Sequence, residues 1–193
     1  MSELRVIVGL GNPGPQYSRT RHNAGFWFIE ALAARQQLTL KPVPKLYCRM
    51  GRGLISGCDC LLVQPDTFVN RSGQAVRAVM SYYKLEYSGL LVVYDELDLE
   101  PGIARIKQGG GHGGHNGLRD IFAHLGSREF TRLRIGIGHP GASDQVSAYV
   151  LSKASKTDQT NIEHAIEAAL NEVPLLVAGD ISTAMLNLHT PAK

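Results

Sequence analysis

The chain has 193 residues, 44% of them hydrophobic and 19% charged, a balance that suits one sizeable core and excludes a disordered chain or two comfortable domains. No apolar run approaches the roughly 18 residues that span a bilayer, and the opening residues lack a secretory signal pattern, so neither a membrane-spanning nor an exported protein is expected. The net charge of +3 is unevenly spread: residues 1–52 carry eight Lys/Arg against two acids and residues 100–134 six against three, while 53–99 and 135–193 each carry three against six, a distribution that a polyanionic partner favours.

Taken in chain order, the first buried-strand pattern is residues 4–8 (LRVIV), running into Gly9, Gly11, Asn12, Pro13 and Gly14. The spacing Gly9, Gly11, Gly14 matches the G-x-G-x-x-G string of dinucleotide sites. Pro13 and Pro15, however, stand where backbone N–H groups should meet a pyrophosphate, and proline has none to offer. A rigid turn that aims the Asn12 amide into a cleft fits better. His22 sits at a loop-to-helix junction, and Phe26, Ile29, Leu32 and Ala33 share a helical face just after it. An amphipathic strand is expected near 46–50 and a buried one at 60–63, which leads to Phe68 and Asn70. The stripe Ala75, Val76, Val79, Met80, Tyr83 marks a second helix, with Ser72 placed to cap it.

A buried strand at 90–94 runs directly into Asp95, and residues 103–107 read as a strand carrying Arg105 and Lys107 on one face. The loop 109–117 packs six glycines around His112, His115 and Asn116, a composition suited to sharp bends or close backbone approach. Leu118, Ile121, Phe122 and Leu125 follow as a third helix, with Asn116 at its start as cap, substrate contact or both. Residues 133–137 form another buried strand, preceded by Arg132 and holding Arg134. Ile162, Ala165, Ile166, Ala169 and Leu170 make a fourth helix, and Ile181, Ala184, Met185 and Leu188 a shorter one. Alternating strands and helices imply a single α/β sandwich over residues 1–193, with a mixed, largely parallel central sheet flanked by helices. The three cysteines, Cys48, Cys58 and Cys60, read as reduced thiols of a cytoplasmic protein, because Cys58-x-Cys60 has no second pair to complete a metal site.

In open α/β sheets, ligands gather beyond the carboxyl ends of the strands. That rule puts Asn12, Asn70 and Asp95 on one rim, with His22 in reach. A strand-end carboxylate can hold one imidazole nitrogen, set the tautomer and leave the other free to take a proton. No G-x-S-x-G elbow or cysteine–histidine motif offers a nucleophile, which favours direct attack by water. Arg105, Lys107, Arg119, Arg132 and Arg134 read as a phosphate clamp or as ordinary polar strand faces, and Tyr17 and Phe68 as apolar walls or stacking platforms. Three rival functions stay open: a nucleotide-dependent oxidoreductase on the first turn, an RNA-binding module without catalysis, and a metallohydrolase using His112 and His115, although two histidines are an incomplete ligand set.

Six strings, quoted in order, resemble the bacterial-type peptidyl-tRNA hydrolases: VGLGNPG at 8–14, Tyr17 with TRHNAG at 20–25, TFVNRSG at 67–73, DELDL at 95–99, the glycine loop 109–117, and RLRIGIGHP at 132–140. The resemblance implies hydrolysis of the ester between an N-blocked peptide and the 3′-terminal ribose of tRNA, with tRNA as partner and no cofactor or metal required; a monomer is expected because no large apolar stripe asks for an obligate partner, and no membrane partner because no run is long enough to span one. The resemblance implies His22 as general base, Asp95 as the acid that orients it, Asn12 as the residue that separates peptidyl from aminoacyl esters, and Asn70 and Asn116 as amides near the scissile bond. Tyr17 and Phe68 match cleft residues that contact the tRNA end or the peptide, and Lys107 and Arg134, with Arg105 beside them, match a basic group that grips a tRNA phosphate. Val69 departs from the family's usual methionine, which puts fine peptide preference in doubt. Nothing is carried over to residues 141–160.

Overall fold

A computed structural model describes residues 5–190. Seven strands form one sheet in the order β2-β3-β4-β1-β5-β7-β6, where β1 is Arg5–Gly9, β2 Lys41–Val43, β3 Cys48–Ile55, β4 Cys58–Pro65, β5 Leu90–Glu96, β6 Ala104–Gln108 and β7 Thr131–Gly136. The four central strands β4, β1, β5 and β7 run parallel, and antiparallel strands close both edges. The expected strand at residues 4–8 therefore holds from Arg5 onward, while Leu4 lies outside the described residues. The expected strand at 46–50 shifts: Leu46 ends a 3-10 turn, Tyr47 takes a left-handed conformation, and β3 starts at Cys48.

Strand alternation splits the core into two layers. Ile7, Leu62, Leu91, Val93, Leu133 and Ile135 point to the face covered by helices α1 (Ala24–Arg35) and α5 (Lys156–Asn171), supported by α6 (Val173–Ala178) and α7 (Ile181–His189). Val6, Val8, Leu61, Val63, Leu90 and Val92 point to the opposite face, covered by α2 (Ser72–Tyr83) and α3 (Asn116–Leu125). All five apolar stripes read from the sequence lie on helices. The short helices α4 (Val146–Val150) and α6, and the three-residue strand β2, are additions that the periodicity did not show.

Two capping assignments are corrected. Ser72 is the first residue of α2, not its cap; its hydroxyl donates back to the Val69 carbonyl at 2.7 Å. Asn116 likewise opens α3, and the preceding His115 supplies the capping side chain.

Close backbone contact sets how α1 crosses β1. A Cβ added to Gly25 would sit 2.4 Å from both the Leu10 nitrogen and the Val93 carbonyl oxygen, and one added to Gly9 only 2.1 Å from the Gly25 carbonyl oxygen. Backbone cannot rotate away as a side chain can. Gly25→Ala is therefore expected to cost about 3 kcal/mol, the upper range for overpacking, measured as a lower Tm and a smaller unfolding free energy in urea. Stability equal to wild type would contradict the packing described here.

Candidate functional site

Three neighbouring parallel strands deliver their carboxyl ends to one rim: β1 into Leu10–Asn12, β4 into Phe68–Asn70, and β5 into Asp95–Glu96. A cleft of about 560 Å³ opens there. His22, Asp95, Asn12, Tyr17, Phe68, Asn70 and Asn116 all line it, so the seven catalytic and substrate-binding candidates come together at one place. A second hollow of about 540 Å³ lies at the amino ends of the strands and holds none of these residues.

Asp95 is the centre of the arrangement. Its side chain is only 2% exposed, and each carboxylate oxygen meets a histidine: Oδ2 lies 2.8 Å from His22 Nδ1, and Oδ1 lies 2.9 Å from His115 Nε2. The Leu118 backbone N–H, at 3.4 Å, points at His115 Nδ1. An N–H needs a lone pair, so His115 carries its proton on Nε2 and donates it to Asp95. A carboxylate can only accept, so His22 likewise donates from Nδ1, and its Nε2 keeps a lone pair. Burial alone would lower the His22 pKa, but the charge of Asp95 and its hydrogen bond outweigh that, and the net shift is upward. For Asp95, burial pushes the pKa up, yet the two histidines reverse this and hold it well below the usual carboxylate range.

His115 is a partner of Asp95 that the sequence does not announce. Paired with His112 it suggested a metal site; the structure separates the two. His112 Nδ1 accepts the Gly114 N–H at 3.0 Å, away from Asp95. The donor atoms of His22, Asp95 and His115 do lie within 4.8 Å of one another, a spacing that could hold an ion. The two imidazole nitrogens, however, are aimed at different carboxylate oxygens, and the Leu118 contact already occupies the other nitrogen of His115. The geometry suits shared protons better than a common ligand.

Asn12 is built into the rim through both ends. The Asn23 amide clamps its backbone, accepting from Asn12 N at 2.8 Å and donating to Asn12 O at 3.0 Å. The Asn12 Oδ1 accepts the Val69 N–H at 2.8 Å. With its oxygen so used, the Asn12 side chain presents its Nδ2 donor to the cleft. The first turn thus serves packing and aim: α1 begins only at Ala24, ten residues beyond Gly14, so the turn does not run straight into a helix, and Pro13 and Pro15 bring no N–H to a pyrophosphate. Tyr17 and Phe68 meet edge to face with centroids 5.9 Å apart at the mouth, where Phe68 is exposed. Ser143, Val146, Ser147, Val150 and Leu151 form a further wall, from a segment to which the sequence reading assigned nothing. Arg21 holds that wall beside His22, donating to the carbonyls of Tyr149, Ser152 and Lys153.

The basic candidates occupy the edge next to this cleft. Strand register sets Arg105 opposite Arg134 and Lys107 opposite Arg132, so all four share one face. Arg132 is a correction: at 1% exposure it is no surface clamp. Its guanidinium donates to the Gly109 and Gly111 carbonyls and so holds the glycine loop, whose Gly109, Gly110, Gly113 and Gly114 all adopt positive φ. Arg105, Lys107 and Arg134 remain partly exposed. Arg105 also donates to the Leu188 carbonyl of α7 at 3.5 Å, and Arg134 Nε donates to Glu96 at 2.8 Å.

The family model described as peptidyl-tRNA hydrolase matches residues 6–193. A peptidyl-tRNA hydrolase of Acinetobacter baylyi is 54% identical over 193 residues, covering 99% of this chain and 100% of its own. One from Marinomonas sp. is 51% identical over 98% of each chain. The crystal structure of peptidyl-tRNA hydrolase from Acinetobacter baumannii superposes with a TM-score of 0.94 at 51% identity, covering 97% of this chain and 95% of that one.

Proposed function

Because the chain belongs to the peptidyl-tRNA hydrolase family and its activity is the hydrolysis of peptidyl-tRNA, we propose that His22 is the general base of that reaction and Asp95 the group that poises it. The observation that carries this reading is the 2.8 Å contact between His22 Nδ1 and Asp95 Oδ2, which leaves Nε2 to the cleft. A water held there gives its proton to Nε2 as its oxygen attacks the ester carbonyl. The tetrahedral intermediate collapses, the ribose 3′-oxygen leaves with a proton returned from the imidazolium, and free peptide and tRNA result. Asn70 and Asn116 hold the ester, and amide N–H donors around them stabilise the developing oxyanion, a contact worth roughly 3 kcal/mol when well placed.

The Asn12 donor explains the choice of substrate. An N-blocked residue offers a carbonyl to Asn12 Nδ2, whereas a free aminoacyl ester offers an ammonium group that an N–H donor repels. Tyr17 and Phe68 provide apolar surface for the peptide or the terminal base. Arg105, Lys107 and Arg134 take tRNA phosphate. Three unpaired cysteines accord with a reducing, cytoplasmic setting, and no helix among the described residues is long and apolar enough to cross a membrane. A monomer working without cofactor completes the reading.

The test is incubation with N-acetyl-aminoacyl-tRNA and with its unblocked counterpart, both in excess chelator. Cleavage of the blocked ester alone is expected. Loss of activity on chelation would transfer the chemistry to a metal, and equal cleavage of both esters would remove the role given to Asn12. Lys107→Ala is expected to weaken tRNA binding and to flatten the slope of log affinity against log salt by about one unit; an unchanged slope would take Lys107 out of the phosphate site.

A further inference from the structure

Glu96 immediately follows Asp95 on β5 and lines the same cleft. A carboxylate there is unexpected, since the RNA substrate brings only negative charge to this rim. Its Oε1 accepts the Arg134 Nε–H at 2.8 Å, with the two side chains 13% and 21% exposed. We infer that Glu96 is a positioning residue, which aims the Arg134 guanidinium so that a tRNA phosphate is held at a set distance from the His22–Asp95 pair. The inference rests on the reading of Arg134 as a phosphate ligand.

Three features of the geometry support it. First, the bond to Glu96 uses only Nε and leaves the two terminal nitrogens, a pair able to fork onto phosphate oxygens. Second, the anchor is rigid. The Glu96 carbonyl accepts the Ile137 N–H at 3.0 Å, and Glu96 pairs in register with Gly136 on β7, so the carboxylate and Asp95 move as parts of one strand pair. Third, Arg105 stands directly across from Arg134 on β6, where like charges repel, and Arg105 is itself drawn toward Leu188. Without Glu96 the Arg134 side chain would swing away from its neighbour. Glu96 thus holds Arg134 where a phosphate can reach it, and that alignment matters because small displacements at a reacting centre are costly.

The test compares N-acetyl-aminoacyl esters on full-length tRNA and on a short 3′-terminal oligonucleotide too small to reach Arg134, using wild type, Glu96→Ala, Glu96→Gln and Arg134→Ala. For Glu96→Ala the KM for full-length tRNA is expected to rise roughly 10-fold, as for loss of a hydrogen bond to a charged group. The ratio of kcat/KM between long and short substrates should fall by a similar factor, and the salt dependence of tRNA binding should flatten. Glu96→Gln, which still accepts the Nε–H, should recover part of the loss. Equal losses on both substrates would mean that Glu96 serves the reaction centre or the fold, and no loss on either would mean that it serves neither; each result overturns the inference. If Arg134→Ala lowers the ratio and Glu96→Ala does not, only the role of Glu96 fails. If Arg134→Ala leaves the ratio and the salt slope at wild-type values, the phosphate reading of Arg134 falls and the inference with it.

Discussion

His22→Ala is expected to lower kcat on N-acetyl-aminoacyl-tRNA by roughly 10²- to 10⁴-fold, the usual contribution of a positioned general base, while the Kd for tRNA and the Tm stay close to wild type. The ring is 14% exposed; its polar and ring contacts are one hydrogen bond to Asp95 and a tilted approach to His115, centroids 5.2 Å apart, and when it is removed Asp95 keeps its bond to His115. The residual rate should come from binding and the amide donors, which do not depend on the imidazole. Near-normal hydrolysis in this variant, shown free of wild-type enzyme, would require another base, and His115 is no ready substitute because its two nitrogens are already committed to Asp95 and Leu118. Collapse of both Tm and tRNA binding would instead make His22 a structural residue.

How far the sequence carried this site depends on whether the relevant contact is local. Asn12, Asn70 and Asp95 follow apolar strands directly, so the rule that ligands gather at parallel strand ends grouped them before any coordinates. The proximity of His22 to Asp95 was inferred from the same rule, and the two side chains lie 2.8 Å apart. His115 escaped because its two signals pointed elsewhere: one neighbour, His112, suggested metal, and the start of α3 was assigned to Asn116, the commoner capping type. Only the packing of the residue just before α3 against the end of β5 brings the ring to Asp95. Arg132 was misplaced for a related reason. Alternation along β7 puts Arg132 and Arg134 on one face, but alternation says nothing of what covers that face, and here the loop 109–111 covers Arg132 and leaves Arg134 partly open. The wall from Val146 to Leu151 is built on the five-residue helix α4, too short to show a period.

Asp95→Asn should be nearly as damaging as loss of His22, for a reason the two histidines make specific. Both rings present an N–H to the carboxylate, at 2.8 and 2.9 Å. A carboxylate accepts both; an amide accepts through its oxygen alone and donates through its nitrogen. One ring must therefore change tautomer or face a donor. His115 is held in its form by the Leu118 N–H, so His22 is the one expected to yield, moving its proton to Nε2 and losing the lone pair that takes a proton from water. An analogous exchange in a serine protease triad lowers kcat by about 10⁴-fold, and a fall of roughly 10³- to 10⁴-fold is expected here. The pH profile carries a second signature. The reaction needs neutral His22, so the wild-type rate falls as pH drops through the raised His22 pKa. Removing the negative charge of Asp95 leaves burial as the main influence, which lowers that pKa. The acid limb of the small residual activity should thus move to lower pH, although the maximum is far smaller. A variant with wild-type kcat, or with its acid limb displaced upward, would show that Asp95 neither sets the tautomer nor raises the basicity of His22.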